Sequence, residues 1–275
     1  MKSDKEHLDR IQDRFTRTAE IFSSFVMSRR AGEGERLARM LTSGWVAASE
    51  ARVLDVACGP GTFTLPVAAR VRQALGLDFT SAMVERAQAE AARAGRNNAH
   101  FLRGNVYALP FSSGALDAVL CGYCFHHFQE PDRALAEMAR ATRPGGRVGL
   151  VDLIVPFTEN VLGEPRGGKA DRHDAIERLR DPSHASTLSA IQLRTMFAAA
   201  GLRVVAEEDC ESVRSFEEWM RVAGFAEGSE TFRAVETEME KTIAGDAAGF
   251  HPRRVESGAL EFTQTTIFLV AEKAR

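Results

Sequence analysis

Short apolar runs alternate with amphipathic stretches along the first 155 residues. The runs are Arg52 to Asp55, Gln73 to Asp78, Ala99 to Arg103, Leu116 to Cys121 and Arg147 to Val155. Each is strand-length. Between them, Phe63 to Val71, Ser81 to Ala94, and the segment from Pro131 through Leu135, Met138 and Ala139 carry apolar residues at helical spacing. Five strands alternating with helices predict an α/β chain with a doubly wound, parallel sheet. Ahead of this core, apolar residues at Leu8, Ile11, Phe15, Ala19, Phe22, Phe25 and Val26 predict an amphipathic helix over residues 1–30, and a second helix runs from Glu33 to Leu41.

Behind the core the rhythm changes. Residues 156–188 are polar and punctuated by Gly and Pro, and they read as an insertion on the substrate side. Ser189 to Ala200 predicts a helix closed by Gly201, Leu202 to Ala206 a sixth strand, Phe216 to Ile243 a helical run, and Thr263 to Ala271 a seventh strand. The expected organisation is an N-terminal helical lid (1–48), a ligand-binding core (49–155), the insertion (156–188), and the rest of the core with a helical insertion at about 212–260.

Composition narrows the partners. A chain of 275 residues that is 44% hydrophobic can bury a substantial core. A net charge of −3 without any run of Lys or Arg speaks against a nucleic-acid or membrane-surface partner. No apolar stretch approaches the ~20 residues that span a bilayer, and the charged N-terminus lacks a signal-peptide core. Four cysteines without framework spacing point to a reducing cytoplasm. Cys121 and Cys124 have no second pair, so no metal is expected.

The candidate chemistry gathers at strand ends. Asp55 closes the first strand, and Ala57, Gly59 and Gly61 form a small-residue bend in which backbone approaches a ligand unobstructed. A dinucleotide fingerprint would need a third glycine where Thr64 stands, and no P-loop Lys follows. Asp78 lies 17 residues beyond Gly61, near the ~20-residue spacing of a carboxylate that accepts both ribose hydroxyls. Phe79 and Met83 are placed to pack on an adenine face or, equally, in the core. The exit of the fourth strand, Gly122 to Phe128, holds His126 and His127 where a reacting group would sit.

The stretch Val53 to Phe63 resembles the first motif of class I S-adenosylmethionine-dependent methyltransferases, with Ala57 where that family usually has glycine. Gly104-Asn105 followed by Leu109-Pro110-Phe111, Glu137 to Arg140, and Pro144 to Arg147 are similar to the same family. Arg14 to Ala19 resembles the N-terminal helix of its ubiquinone/menaquinone-biosynthesis group, and Arg180 to His184 is similar to a stretch of small-molecule members. The resemblance implies a seven-stranded, mostly parallel Rossmann-like sheet with a final antiparallel strand, and S-adenosylmethionine as cofactor. It also implies methyl transfer to an oxygen or carbon of a small apolar or aromatic metabolite. Asn105 would stand where relatives place an aspartate on the adenine amine, and Val106 and Cys121 complete the expected cofactor contacts. His126 and His127 are the candidate bases, with His184 in reserve. The absence of an Asn/Asp-Pro-Pro-aromatic run after the fourth strand argues against base-amine substrates. A cofactor-binding relative that catalyses cyclisation, decarboxylation or rearrangement, a ligand-binding regulatory module, and a nicotinamide-dependent oxidoreductase are the alternatives. A homodimer is left open.

Overall fold

The computed structural model describes residues 2–46, 48–155 and 168–275. The part of the expected insertion that falls on residues 156–167 lies outside them. Helices α1 (Lys2–Arg17), α2 (Ala19–Arg29) and α3 (Ala31–Thr42) precede β1 (Arg52–Val56). The core continues through α4 (Thr64–Ala68), β2 (Gln73–Asp78), α5 (Ser81–Arg93), β3 (Ala99–Arg103), β4 (Leu116–Gly122), α6 (Pro131–Ala141) and β5 (Thr142–Ile154). Then come α7 (Lys169–Arg180), α8 (Ala190–Ala199), β6 (Leu202–Ser215), α9 (Phe216–Val222), α10 (Glu230–Glu240), β7 (Arg253–Arg254) and β8 (Leu260–Lys273).

Seven strands lie side by side in the order β3-β2-β1-β4-β5-β8-β6, and the short β7 pairs with β8 as an eighth. Strands β1 to β5 are parallel, and β8 runs antiparallel to both β5 and β6. Chain order reverses between β1 and β4, so a crevice opens beyond their carboxyl ends. One face of the sheet packs Leu54, Leu77 and Val119 against α6 and α8 through Leu135, Met138, Leu193 and Phe197. The other packs Val53, Leu120 and Val270 against α3 and α4 through Leu37, Leu41 and Val67. Among the described residues, no helix is long and apolar enough to cross a membrane.

The boundaries depart from the sequence pattern in four places. The N-terminal helix is two helices that meet at Thr18, where φ −99° and ψ 4° depart from helical values. α4 is one turn rather than a helix from Thr62 to Val71, since the Asn98 amide donates to the carbonyls of Ala68 and Val71 (2.8 and 3.0 Å). So short a helix has little dipole to offer an anion. The run from Phe216 to Ile243 breaks into α9 and α10 around Gly224, whose φ of 91° no helix accommodates. Finally, β6 and β8 each reach 14 residues, and their far ends form a ribbon roofed by a separate aromatic cluster of Phe216, Trp219, Phe232, Phe250 and Phe262.

Candidate active site

The bend after β1 is held by the tip of β2. Gly59 N–H donates to Asp78 Oδ2 at 2.9 Å, and Thr80 N–H donates to Asp78 Oδ1 at 2.8 Å. Gly59 has φ 52° with open space where a side chain would stand, so its backbone faces the crevice bare. Ala57 also has φ 52°, the left-handed conformation that favours glycine. Burial raises the Asp78 carboxyl above its ordinary value, against the pull of the Thr80 and Gly59 N–H groups. Each of its oxygens keeps a lone pair for a ligand hydroxyl. Leu77, Phe79, Met83 and Val106 make the apolar wall next to it.

Asp55, expected at the cofactor, does not line the crevice: beneath the bend its Oδ2 accepts from the Thr64 hydroxyl at 2.6 Å, while Oδ1 is buried and unpartnered among the described residues. Burial lifts this carboxyl to about 8, with the Asp78 charge pushing the same way against the Thr64 hydrogen bond. The crevice gathers a mostly apolar lining with a few polar groups around one opening. Helices α1 and α2 cover it with Leu8, Ile11, Phe15, Phe22 and Val26.

Several expected contacts land elsewhere. Gly61 packs against Phe101 and Leu65 rather than lining the crevice. Cys121 is wholly buried in the sheet core, since the pleat points alternate residues of β4 into the packed layer. Asn105 does line the crevice, but its Oδ1 accepts from Tyr107 N–H at 2.9 Å, so it also builds the turn.

A second chamber adjoins the first and shares Phe15, Phe22, Val26, Arg30, Tyr123 and His127 with it. These six residues stand between the two. His126 and His127 follow Tyr123, whose φ of 55° turns the chain sharply out of β4. The two rings lie 4.4 Å apart but are held differently. His127 Nδ1–H donates to the Ser183 carbonyl at 3.0 Å, and burial, aided by the His126 charge, drives its pKa down to about 3. It is therefore neutral, with Nε2 left as an acceptor. His126 Nδ1–H donates to Asp152 Oδ1 at 2.6 Å. Burial works against its charged form, yet Asp152 outweighs that and raises His126 above its ordinary value.

His184 faces neither space: its Nε2–H donates to Asp174 Oδ1 at 2.9 Å, and its ring stacks 5.8 Å from that of His126. It braces the histidine that does line the chamber. Asp181 lines the chamber and pairs with the buried Arg14, which ties α1 to the segment after α7. Asp152, Tyr123, Arg30 and Arg214 are site residues that motif reading misses. Only Asp152 carries a signal, a lone acid inside the apolar run Val148 to Val155.

Known proteins share this arrangement. Residues 53–146 match the family described as "Methyltransferase domain". The uncharacterized methyltransferase YcgJ of Bacillus subtilis is 33% identical over 192 residues, covering 70% of this chain and 72% of YcgJ. The chain belongs to the class I methyltransferases. The crystal structure of YcgJ superposes with a TM-score of 0.74 at 26% identity, over 87% of this chain and 99% of that one. A demethylmenaquinone methyltransferase of Renibacterium salmoninarum is 34% identical over 125 residues, and this methyltransferase spans about half of it (46% of this chain, 51% of that one). A geranyl diphosphate methyltransferase in complex with S-adenosylmethionine shares the fold, with a TM-score of 0.59 at 16% identity over 89% of this chain and 85% of that one. S-adenosylmethionine is the family's cofactor, and the crevice suits it. The Asp78 carboxyl stands beside an apolar wall of Leu77, Phe79, Met83 and Val106, which complements the ribose and base of a nucleoside.

Proposed function

We propose that this methyltransferase moves a methyl group to an oxygen or carbon of a small, largely apolar or aromatic metabolite seated in the second chamber. The observation behind this reading is adjacency: a crevice suited to the adenosyl group shares six wall residues with a chamber also lined by Phe25, Leu153, Trp219 and Val222. In the proposal, Asp78 holds the ribose hydroxyls, and Phe79, Met83 and Val106 flank the adenine. When bound, S-adenosylmethionine supplies an electrophilic methyl whose bond to sulfur breaks as the bond to the acceptor forms.

Because the sulfonium already leaves well, the chain's own contribution is orientation, exclusion of water and one proton transfer. α1 and α2 act as the lid that keeps water out, packing Phe15 edge-on to His127 with centroids 5.4 Å apart. His126 Nε2 takes the proton of an acceptor hydroxyl or acidic C–H, and Asp152 holds Nδ1–H and offsets the charge that develops on the ring. His127, fixed in its neutral form, accepts a hydrogen bond without competing for that proton. The four unpaired thiols suit the reducing cytoplasm as the setting, and the proposal is compatible with a homodimer.

Incubation with methyl-labelled S-adenosylmethionine and a panel of phenols, quinols and polyketide-like acceptors tests the reading. Label in an acceptor together with stoichiometric S-adenosylhomocysteine is the expected result. Conversion of an acceptor with no S-adenosylhomocysteine formed would instead select the cyclisation or rearrangement alternative.

A further inference from the structure

The second chamber carries more positive charge than its own walls neutralise. Arg14, Arg30, Arg180 and Arg214 all line it. Two of them are matched: Arg14 pairs with Asp181, and Arg180 donates to Glu177 at 3.1 Å. Arg30 and Arg214 have no carboxylate within ion-pair distance among the described residues. Arg30 Nε is buried without a hydrogen-bond partner. Its Cζ stands 3.3 Å from the Tyr123 ring centroid, a cation–π contact, and its guanidinium makes no side-chain hydrogen bond among the described residues. Arg214 comes from the far half of β6 and stands 5.3 Å from the Phe25 centroid. The acids nearest Arg214 do not face this space: Glu218 is held by Arg29 at 2.8 Å, and Glu33 lies outside the lining. Burial lowers the Arg214 pKa, and the charge of Arg30 lowers it further, so each guanidinium is a cost to the other until an anion arrives.

We infer that the methyl acceptor bears an oxyanion, a carboxylate or a phosphate, which Arg30 and Arg214 grip from opposite walls while His126 faces the reacting atom. This rests on the second chamber being the acceptor site, as proposed above. Arg30 lines both the crevice and the chamber, so an anion held there sits near the boundary of the two and sets which atom of the acceptor meets the methyl group. The remaining walls, Phe22, Phe25, Trp219 and Val222, suit an apolar or aromatic body on that anionic head.

The inference is tested by titrating the full chain, saturated with S-adenosylhomocysteine, with 2-naphthoate, 2-naphthyl phosphate and neutral 2-naphthamide. At least one anion should bind tenfold or more tightly than the amide, and which one does so identifies the oxyanion. Arg214→Gln should erase that preference while leaving amide binding and S-adenosylhomocysteine affinity unchanged, and Arg214→Lys should keep part of it. Equal binding of anion and amide, no binding of either anion, or a preference that survives Arg214→Gln would overturn the inference. A failure of S-adenosylhomocysteine itself to bind the unmodified chain would instead strike the methyltransferase site.

Discussion

Asp78 Oδ2 accepts the Gly59 N–H at 2.9 Å, so the ligand-facing bend of one strand is fastened to the acidic tip of its neighbour. The carboxylate thus shapes the loop as well as facing the ligand. Asp78→Ala would leave the Gly59 and Thr80 N–H groups without their acceptor and would remove the proposed ribose partner. S-adenosylmethionine affinity measured by calorimetry should fall by about 2 kcal/mol, roughly thirtyfold. An unchanged affinity would show that the ribose lies elsewhere.

Ala57 stores backbone strain at the same bend. A side chain at φ 52° costs about 1–2 kcal/mol, against the 0.5–1 kcal/mol of chain entropy that glycine gives up on folding. Ala57→Gly should therefore raise stability by roughly 0.5–1 kcal/mol, or about 2 °C in melting temperature, with cofactor affinity retained. A lower melting temperature would show that the neighbouring packing, not the backbone, governs this position.

The crevice is legible in the sequence because its parts are local: an acid at the tip of β2 and a small-residue bend after β1. Ala57, Gly59, Asp78, Phe79, Met83, Asn105 and Val106 accordingly line the crevice. Cys121 was misplaced by a single pleat step, which reverses the face a strand residue presents. The acceptor side was not legible in the same way. His126 meets Asp152 from the next strand, and Arg30 meets Arg214 from an element 184 positions further along the chain. No spacing rule encodes such pairs; the register of β6 against β8 and the seating of α2 bring them together.

The His126–Asp152 pair predicts a pH profile. His126 accepts a proton only when neutral, and Asp152 raises its pKa above the ordinary 6.5, so kcat/KM should climb with pH through a limb above 6.5. Asp152→Asn removes the charge that raises it. The limb should then move to lower pH and the plateau should fall about a hundredfold, as the emerging imidazolium loses its counter-charge. A profile identical in both proteins would remove His126 from the proton transfer.

His127 makes the opposite contribution to stability. Its pKa is depressed in the folded chain to about 3 by burial, whereas the unfolded chain takes up the proton near 6.5. Between those values the unfolded state binds more protons, so folding stability falls as pH drops below 6.5, by up to about 1.4 kcal/mol per pH unit from this group alone. His126, raised rather than lowered, adds stability below 6.5 and loses it as pH climbs through its folded value, so the two histidines partly cancel. His127→Gln keeps a donor for the Ser183 carbonyl but cannot titrate. Urea unfolding between pH 4 and 7 should show a shallower loss toward acid for this variant than for the parent chain. Parallel slopes would mean that His127 is reached by water and protonates freely, and its assignment as a fixed neutral acceptor between the two spaces would fail with them.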